Sequence, residues 1–387
     1  MKFDTIKLSE LAEIQTGPFG SQLHKEDYVV NGTPIVTVEH LGNRKFTEQN
    51  LPCVSDKDKE RLKKYMLKTG DIVFSRVGSV DRCSYVSAEY EGWMFSGRCL
   101  RVRPCEILNS EYLYYFFSLK ETKQFVRNIA TGATMPSINT KFMGEVPIRV
   151  PSMEAQNKIA SILWMIDDKI ELNEKINNNL ADLLQAVYQE QFGDIESAEN
   201  QGTLSDICMY SKEKVVISAL NISNYFSTEN MLVDKGGATI ASSLPTVAQT
   251  TACHKGDTLI SNIRPYFKKI VYCEADCGCS ADVLCFTPNR PQYSAYLFSS
   301  LYADSFFAFM VAGAKGTKMP RGDKQQIMTY PVVLPSNEKL EMFNAIALPT
   351  LGQIHSNRAE NKRLSAMRDT LLPKLMSGEL DVSDIEL

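Results

Sequence analysis

One segment of this sequence occurs twice, 184 residues apart. The segment TGATMPSINTKFMGEVPIRVPS at residues 131–152 aligns without a gap on KGTKMPRGDKQQIMTYPVVLPS at residues 315–336. Identical residues in the two copies include Met135 and Met319. An internal repeat of this length indicates that a chain is built from two copies of one structural unit. We therefore predict two domains that share a fold.

The match extends beyond this segment in both directions. Tyr112 is repeated as Tyr296, and Ile162 as Ile346, again at an offset of 184. Nearer the start of each copy the offset drifts, because the Gly-Asp pair at residues 70–71 recurs 186 residues later. Each half therefore has a front part that has gained or lost residues and a back part of constant length.

The front part of each half is predicted to contain short β-strands. The β-branched stretch at residues 33–38 alternates as strands do, and a Gly-Asp turn opens the apolar stretch at residues 70–75. The same step from a turn to a buried strand recurs at residues 255–261. Prolines at residues 146–151 and 330–335 exclude a central strand. We predict that each of these two stretches is an edge strand that ends a domain.

The back part of each half is predicted to be a long helix. Ser152 and Ser336 are candidate N-caps, and apolar residues then recur at steps of three and four, which marks one helical face. At 1.5 Å per residue, a helix over residues 152–192 would be roughly 60 Å long, which suits a spacer. The residues predicted to pair the helices or to dock a partner are Ile159, Ile162, Ile166, Ile170, Asn173, Leu180, Phe343, Ile346, Ile354, Asn357 and Leu364.

The asparagines beside the apolar stripe allow two interpretations. Asn173 and Asn177, and their repeats Asn357 and Asn361, are either a solvated flank or a device that fixes the register between two long helices, at a cost in stability. Two matching helices with one apolar stripe each bury these stripes most simply against each other.

These patterns predict an α/β (α+β) fold with two tandem-repeated mixed domains joined by two long helices. The predicted first domain is residues 1–151, followed by a helix over residues 152–192 as the central spacer. The second domain is residues 193–335, and residues 336–387 form the second helix and the C-terminal tail.

Known catalytic motifs are absent from the sequence. There is no GxGxxG, HExxH or GxSxG, and the four histidines are scattered. Cys273, Cys277, Cys279 and Cys285 have the spacing CxxxCxC, whereas structural zinc sites typically use CxxC pairs. Reduced thiols in a cytosolic protein are therefore favoured over a zinc site. We expect neither a catalytic site nor a bound metal or cofactor in this chain.

Composition restricts the partners only weakly. The net charge of −4 argues mildly against nucleic-acid binding, although local clusters of Lys and Arg can still contact phosphate. No apolar run approaches the ~18 residues of a membrane span, and the N-terminal residues lack an apolar signal core. The expectation is a cytoplasmic protein that does not contact a membrane.

Basic and polar residues recur in loops at matching places in both halves. Arginine can bind the guanine edge bidentately and asparagine the adenine edge, while lysine mostly contacts phosphate. Each residue taken alone is more simply interpreted as a solvated charge. The recurrence in both halves is what favours the interpretation that these residues bind DNA. The candidate DNA-contacting residues are Arg44, Lys45, Ser75, Arg76, Ser79, Arg98, Asn262, Arg264, Tyr266, Lys268, Lys318 and Arg321.

With these features, the chain resembles the specificity subunits of type I restriction–modification enzymes over essentially its whole length. The resemblance rests on four segments taken together, which are KTGDIVFSRVGSVDRCSYV at residues 68–86, GATMPSINTKFMGEVPIRVPSMEAQNKIASIL at 132–163, DDKIELNEKIN at 167–177 and LLPKLMSGEL at 371–380. One departure is that the second domain has no clear match to GPFGSQL at residues 17–23.

The resemblance implies a subunit that reads DNA sequence without catalysing a reaction. Each of two target recognition domains would bind one half of a split site in double-stranded DNA. The two long helices would pair antiparallel as a coiled coil and set the spacing. Two methyltransferase subunits carrying S-adenosylmethionine would dock on the helices. Restriction subunits, which are translocating nucleases using ATP and Mg²⁺, would join the complex.

Two other classes of protein remain open at this point. One is a self-sufficient DNA methyltransferase or nuclease with an unrecognised site, against which the missing motifs speak. The other is a coiled-coil scaffold that binds only proteins, which would explain the helices but not two elaborate domains with duplicated basic loops. The target sequence and the length of its unread gap are not encoded in any pattern we find.

Overall fold

The computed structural model of the chain describes residues 2–196 and 198–385. These residues form two compact units. The first comprises Met1–Ile170 and Lys362–Leu387, and the second comprises Glu171–Asn361.

The first unit contains ten strands and several helices. The strands are β1 (Asp4–Lys7), β2 (Ala12–Thr16), β3 (Tyr28–Val29), β4 (Thr33–Val36), β5 (Cys53–Val54), β6 (Ile72–Ser75), β7 (Cys83–Tyr85), β8 (Met94–Phe95), β9 (Cys99–Pro104) and β10 (Pro147–Val150). The helices are α1 (Leu8–Leu11), α2 (Asp56–Arg61), α3 (Ser110–Ser118), α4 (Lys120–Ile129) and α5 (Thr140–Gly144). The long α6 (Met153–Phe192) begins in this unit and ends in the second.

The second unit repeats this order of elements, except that its described residues include no helix corresponding to α2. The strands are β11 (Gln201–Thr203), β12 (Cys208–Tyr210), β13 (Lys214–Val216), β14 (Tyr225–Phe226), β15 (Gln249–Cys253), β16 (Thr258–Ser261), β17 (Ile270–Tyr272), β18 (Cys277–Cys279), β19 (Val283–Pro288) and β20 (Pro331–Val333). The helices are α7 (Leu204–Ile207), α8 (Ser294–Tyr302), α9 (Asp304–Ala312) and α10 (Lys324–Met328). The long α11 (Asn337–Ser377) begins in this unit and ends in the first.

Each unit is organised around an antiparallel sheet of four strands, which we call the core sheet. Its strand order is β2-β9-β6-β7 in the first unit and β12-β19-β16-β17 in the second. All four residues of β6 and of β16 are buried, which explains why these strands read as continuous apolar runs in the sequence. The duplication predicted from the sequence is thus confirmed at the level of the sheet.

The predicted edge strands also form as expected. β10 pairs only with β1, and β20 pairs only with β11, in separate two-stranded antiparallel sheets. Pro147 and Pro331 each begin their strand, where a missing N–H removes no interior ladder bond.

A second four-stranded sheet, the front sheet, differs between the units. Its order is β3-β5-β4-β8 in the first unit and β13-β15-β18-β14 in the second. Both contain one parallel pair, β4 with β8 and β14 with β18. In the first unit, an antiparallel strand (β5) pairs with the earlier strand of this parallel pair, β4. In the second unit, the antiparallel strand (β15) pairs with the later strand, β18. The variable front parts of the sequence therefore build two different sheets.

The two long helices run antiparallel within each unit. In the first, Lys158 of α6 donates a hydrogen bond to the Ser383 carbonyl (3.0 Å) beyond the end of α11, while Asp167 pairs with Arg368 (2.7 Å). In the second, Tyr188 and Phe192 of α6 pack on Phe343, with Tyr188 and Phe343 ring centroids 6.3 Å apart. This confirms the predicted pairing of two long helices.

The asparagines beside the stripe lie in the seam between the helices. Asn173 donates hydrogen bonds to Glu360 (2.7 Å) and Asn361 (2.8 Å), and Asn357 donates to Asn177 (2.9 Å). Asn173, Asn177 and Asn357 are all buried. Of the two interpretations above, the structure supports a register-fixing device and not a solvated flank, because a shift of either helix would break these bonds.

The apolar residues of the predicted stripes are not equally buried. Ile159, Ile166, Phe343 and Ile354 lie in the hydrophobic interior. Ile162, Ile170, Leu180 and Leu364 are half-buried at its edge. Ile346 lies outside the seam and is 43% exposed, so its side chain does not help to pair the helices.

The described residues contain no obvious membrane or metal feature. No single helix is long and apolar enough to cross a membrane, and the pair Pro291–Tyr302 and Asp304–Ala312, which meets that test only together, is bent by 67°. All ten cysteines are free, and within residues 2–196 and 198–385 no group of three or more His, Cys, Asp or Glu is arranged to hold a metal ion.

Candidate nucleic-acid interface

In the first unit, the buried strand β6 ends in an exposed turn, residues 76–79, which we call the strand-end loop. The Ser75 hydroxyl donates a hydrogen bond to the Val77 carbonyl (2.6 Å) and so shapes the turn. Gly78 has a φ of +74°, a conformation that costs glycine little. Ser75 itself is buried, so its hydroxyl serves the loop, while Ser79 is exposed.

A second loop clasps the first. Residues 131–137, the Met-Pro loop, belong to the segment that is repeated without a gap. The Gly78 N–H donates to the Pro136 carbonyl (2.8 Å), and the Ile138 N–H donates to the Arg76 carbonyl (2.9 Å). Asn139 then caps α5 by accepting the Phe142 N–H (2.8 Å), which fixes the exit of the loop. Met135 is 65% exposed at its tip.

The GPFG segment packs at the same end of the sheet. A Cβ on Gly17 would stand 2.2 Å from the Ser96 carbonyl oxygen, so only glycine fits this close approach. Arg76 donates to the Gly97 carbonyl (3.0 Å), and its guanidinium lies 5.8 Å from the ring centroid of Phe19. Phe19 is 61% exposed, and Arg98, which follows Gly97 in the sequence, is also exposed.

The second unit builds the same backbone frame with other side chains. The Ser261 hydroxyl donates to the Ile263 carbonyl (3.1 Å) as Ser75 does to Val77. Its strand-end loop, residues 262–265, is clasped by the Met-Pro loop at residues 315–321, since the Arg264 N–H donates to the Pro320 carbonyl (2.8 Å). Asn262 thus occupies the place of Arg76, and Arg264 the place of Gly78.

Two side chains of this second loop have polar atoms that the chain leaves without partners. Within the described residues, Asn262 Oδ1 and Arg264 Nε are buried and make no hydrogen bond. Arg264 also has a φ of +51°, a left-handed conformation that is strained for a residue with a Cβ. Unpartnered buried polar groups and backbone strain both concentrate at functional sites. Tyr266 is 48% exposed next to them.

Several cations near the loops of the second unit are paired with carboxylates. Arg321 pairs with Asp282 (2.9 Å), while Lys315 pairs with Asp323 (2.6 Å). Lys268 and Lys235 share Asp304 at 2.9 and 2.8 Å; their hydrogen bonds lower the pKa of Asp304 below its ordinary value. Lys318 is exposed on the Met-Pro loop.

Two predicted DNA-contacting residues lie elsewhere in the first unit. The guanidinium of Arg44 stacks 3.8 Å from the Trp164 ring centroid and pairs with Asp168, both on α6. Lys45 forms an ion pair with Glu89 (3.4 Å). Arg44 therefore attaches the front of this unit to its long helix. We do not include these two residues or Ser75 in the contact set proposed below.

The structure brings residues to these loops that the sequence reasoning did not single out. Phe19 and Met135 are exposed apolar side chains at the loops of the first unit, and Met319 is 52% exposed on the equivalent loop of the second. Their signal in the sequence was the gap-free repeat, which contains both methionines, and the GPFG segment, which contains Phe19.

Known proteins share this architecture. A family model described as the type I restriction modification DNA specificity domain matches residues 1–182. A relative from Methanocaldococcus jannaschii, the type I restriction enzyme MjaIX specificity subunit, is 22% identical, with 99% of this chain and 94% of the relative aligned. The HindI specificity subunit of Haemophilus influenzae is also 22% identical, with 96% of this chain and 100% of the relative aligned.

A crystal structure has the same fold. The type I restriction–modification system S subunit from M. genitalium covers 97% of this chain and 96% of its own length, with a TM-score of 0.65 and 16% sequence identity.

Proposed function

This chain belongs to the family of type I restriction–modification specificity subunits, and from that premise we propose that each of its two domains reads one half of a bipartite DNA site. As a DNA specificity subunit, it is itself non-catalytic. We assign residues 1–151 and 193–335 to the recognition domains. Residues 152–192 and 336–387 would be the long helices that space them.

The observation that carries this proposal is one backbone frame with two sets of side chains. Arg76 and Gly78 stand on the frame in the first unit, and Asn262 and Arg264 stand on it in the second. The two units therefore present an arginine from different positions of the same frame. A shared frame with exchanged side chains is what two readers of different sequences would need.

The proposed base-reading set is drawn from the two strand-end loops and the residues beside them. It consists of Arg76, Ser79, Arg98, Arg264 and Tyr266. Asn262 is buried, like Ser75, and is therefore not included. Lys268, Lys318 and Arg321 are proposed as contacts to DNA phosphates, since lysine and arginine beside a reading loop mainly fix its position on the duplex.

We also propose partners for the helices. Two methyltransferase subunits would bind the helical seam from outside, and the exposed face that includes Ile346 offers apolar contact for them. These subunits would carry S-adenosylmethionine, and restriction subunits would bring ATP and Mg²⁺. The complex would act in the cytoplasm.

The test is to map methylated bases in the genome of cells that express the chain with its methyltransferase subunits. Arg76→Gln is expected to relax recognition in one half of the site only, and Arg264→Gln in the other half only. Each bidentate contact supplies ~1–3 kcal/mol of discrimination, so the loss would appear as methylation at near-cognate half-sites. Arg290→Gln is the matched control, because Arg290 is exposed beyond the opposite end of β19.

Two outcomes would count against the proposal. A substitution that changes both halves equally would show that the domains do not read independently. A uniform fall at all sites, with the preference unchanged, would make that residue a phosphate contact.

A further inference from the structure

The first unit has a cavity of about 390 Å³ beside its strand-end loop. Its lining includes Ser79 of that loop, Asp81 and Arg82 just after it, and Ser118, Lys123 and Arg127 from the α3–α4 region. None of Asp81, Arg82, Lys123 and Arg127 belongs to the contact set proposed above. The cavity therefore adds a new surface directly next to a loop that is proposed to read bases.

The cavity is built to hold negative charge. Three cationic side chains line it, against one carboxylate. That carboxylate, Asp81, accepts a hydrogen bond from Arg127 (2.6 Å), and this bond raises the pKa of Arg127. Asp81 thereby orients the Arg127 guanidinium, while Arg82 and Lys123 supply further positive charge. Arginine and lysine donors converging in one recess match the oxygens of a phosphate group.

The second unit lacks this arrangement at the equivalent place. At an offset of 184, Lys123 and Arg127 of α4 correspond to Phe307 and Val311 of α9. Phe307 is buried in the hydrophobic interior. In the first unit, a carboxylate on the loop side (Asp81) pairs with a cation on the helix (Arg127). In the second unit the signs are reversed, because Lys268 on the loop side pairs with Asp304 on the helix. The basic cavity is therefore a property of the first unit alone and not of the repeated scaffold.

We propose that this cavity binds a backbone phosphate of the DNA strand whose bases face the strand-end loop, through Arg82, Lys123 and Arg127. The proposal rests on the proposed function. Every base read in a groove has a phosphate within about one nucleotide, and such contacts anchor the protein without reading sequence. The first domain would accordingly contribute more of the salt-dependent affinity than the second.

The test measures the affinity of the chain, assembled with its methyltransferase subunits, for its methylation site at several salt concentrations. Each phosphate contact contributes about 0.9 to the slope of log affinity against log salt. Because the cavity is proposed to hold one phosphate, Arg82→Gln/Lys123→Gln is expected to lower the slope by about 0.9. Between about 50 and 200 mM salt, the advantage of the wild type over this variant would shrink by roughly 3.5-fold.

Sequence preference separates this proposal from the proposed function. The double variant should keep the ratio of cognate to non-cognate binding, whereas a wild-type complex without any preference would overturn the proposed function itself. Lys68→Gln is the control, because Lys68 is exposed before β6, at the end of that strand opposite the strand-end loop. It should leave the slope unchanged.

Two results would overturn the proposal. The first is an unchanged slope in the double variant; if titration calorimetry then shows that this variant has lost binding of inorganic phosphate, the cavity is a site for a free anion. The second is an equal change in Lys68→Gln, which would mean that only overall charge matters.

Discussion

At the scale of single residues, the most informative comparison is between Gly78 and Arg264. Both occupy the third position after the buried strand, both have positive φ (+74° and +51°), and both donate their N–H to the proline of the clasping loop. Glycine adopts this conformation freely, whereas arginine is strained in it. The second unit thus keeps a strained residue where the first has a relaxed one, which fits a side chain retained for contact and not for folding.

This comparison predicts that replacing Arg264 by glycine raises stability and weakens recognition. Arg264→Gly removes a left-handed strain of ~1–2 kcal/mol, partly offset by the entropy that glycine loses on folding, ~0.5–1 kcal/mol. We expect the free energy of unfolding to rise by up to about 1 kcal/mol while methylation at the second half-site becomes less selective. Thermal unfolding and methylome mapping measure the two effects.

Asp234→Gly is the control for this prediction. Asp234 has the same φ of +51° and is exposed, so its replacement should leave recognition of both half-sites unchanged. If Arg264→Gly kept full selectivity, Arg264 would not be a base contact.

At the scale of elements, the helix seam combines apolar packing with a buried amide network. Asn357 accepts a hydrogen bond from Gln353 (2.7 Å) and donates one to Asn177 (2.9 Å). Asn173 and Asn177 are equivalent by the repeat to Asn357 and Asn361. The bond from Asn173 to Asn361 and the bond from Asn357 to Asn177 are therefore equivalent, with the two helices exchanged. Such a network specifies one register among those that the apolar stripe alone would permit.

The network predicts different effects for single and paired substitutions. Asn357→Leu leaves the buried Asn177 amide oxygen without its donor, and an unsatisfied buried polar group costs ~1–3 kcal/mol. We expect a clear fall in thermal stability. Asn177→Leu/Asn357→Leu should recover most of it, because both polar groups are then removed. Asn179→Leu, at an exposed position of α6, is the control. An additive loss in the double variant would contradict a direct pairing.

The elements that were predictable from the sequence are those with long or repeated patterns. The 40 residues of α6 carry their apolar stripe over many turns. A Gly-Asp turn directly precedes β6 in the first half and β16 in the second, and so predicts both strands. The front sheet was not predictable, because strands such as β5 and β8 have two residues each, too few to show a period. Its parallel pair depends on contacts between residues about 60 positions apart.

The candidate site was predictable only in part, for a related reason. Residue type and recurrence identified Arg76 and Arg264, but burial of Ser75 and stacking of Arg44 on Trp164 are set by tertiary contacts. The cavity was not predictable from the sequence, because Arg82, Lys123 and Arg127 are dispersed along the chain and the second half does not repeat the two cations of α4.

At the scale of the whole molecule, we propose that the two helices set the number of unread base pairs between the half-sites. The amide pairs place the boundary between Asn179 and Leu180 opposite the boundary between Ile354 and His355. Four residues inserted at both boundaries would lengthen both helices by roughly 6 Å while keeping the register. We expect the gap to grow by about one or two base pairs at 3.4 Å each, with both half-site sequences retained.

Methylome mapping of this paired-insertion variant provides the measurement. Insertion after Asn179 alone is the control, because it shifts Tyr188 and Phe192 relative to Phe343 and should lower stability and activity. A paired insertion with full activity and an unchanged gap would show that the helices do not determine the spacing.

The difference between the two front sheets has a consequence for how such genes can recombine. The last front-sheet strands, β8 and β18, end at Phe95 and Cys279, and the constant offset of 184 residues holds from Ser96 and Ser280 onward. A crossover between the copies at the earlier Gly-Asp turns would combine β4 with β18, whose neighbours in its own front sheet are β14 and β15. A crossover after Ser96 and Ser280 would transfer each front sheet intact onto an equivalent frame. The structure thus marks Ser96 and Ser280 as the junction at which the two front sheets can be exchanged as a genetic cassette.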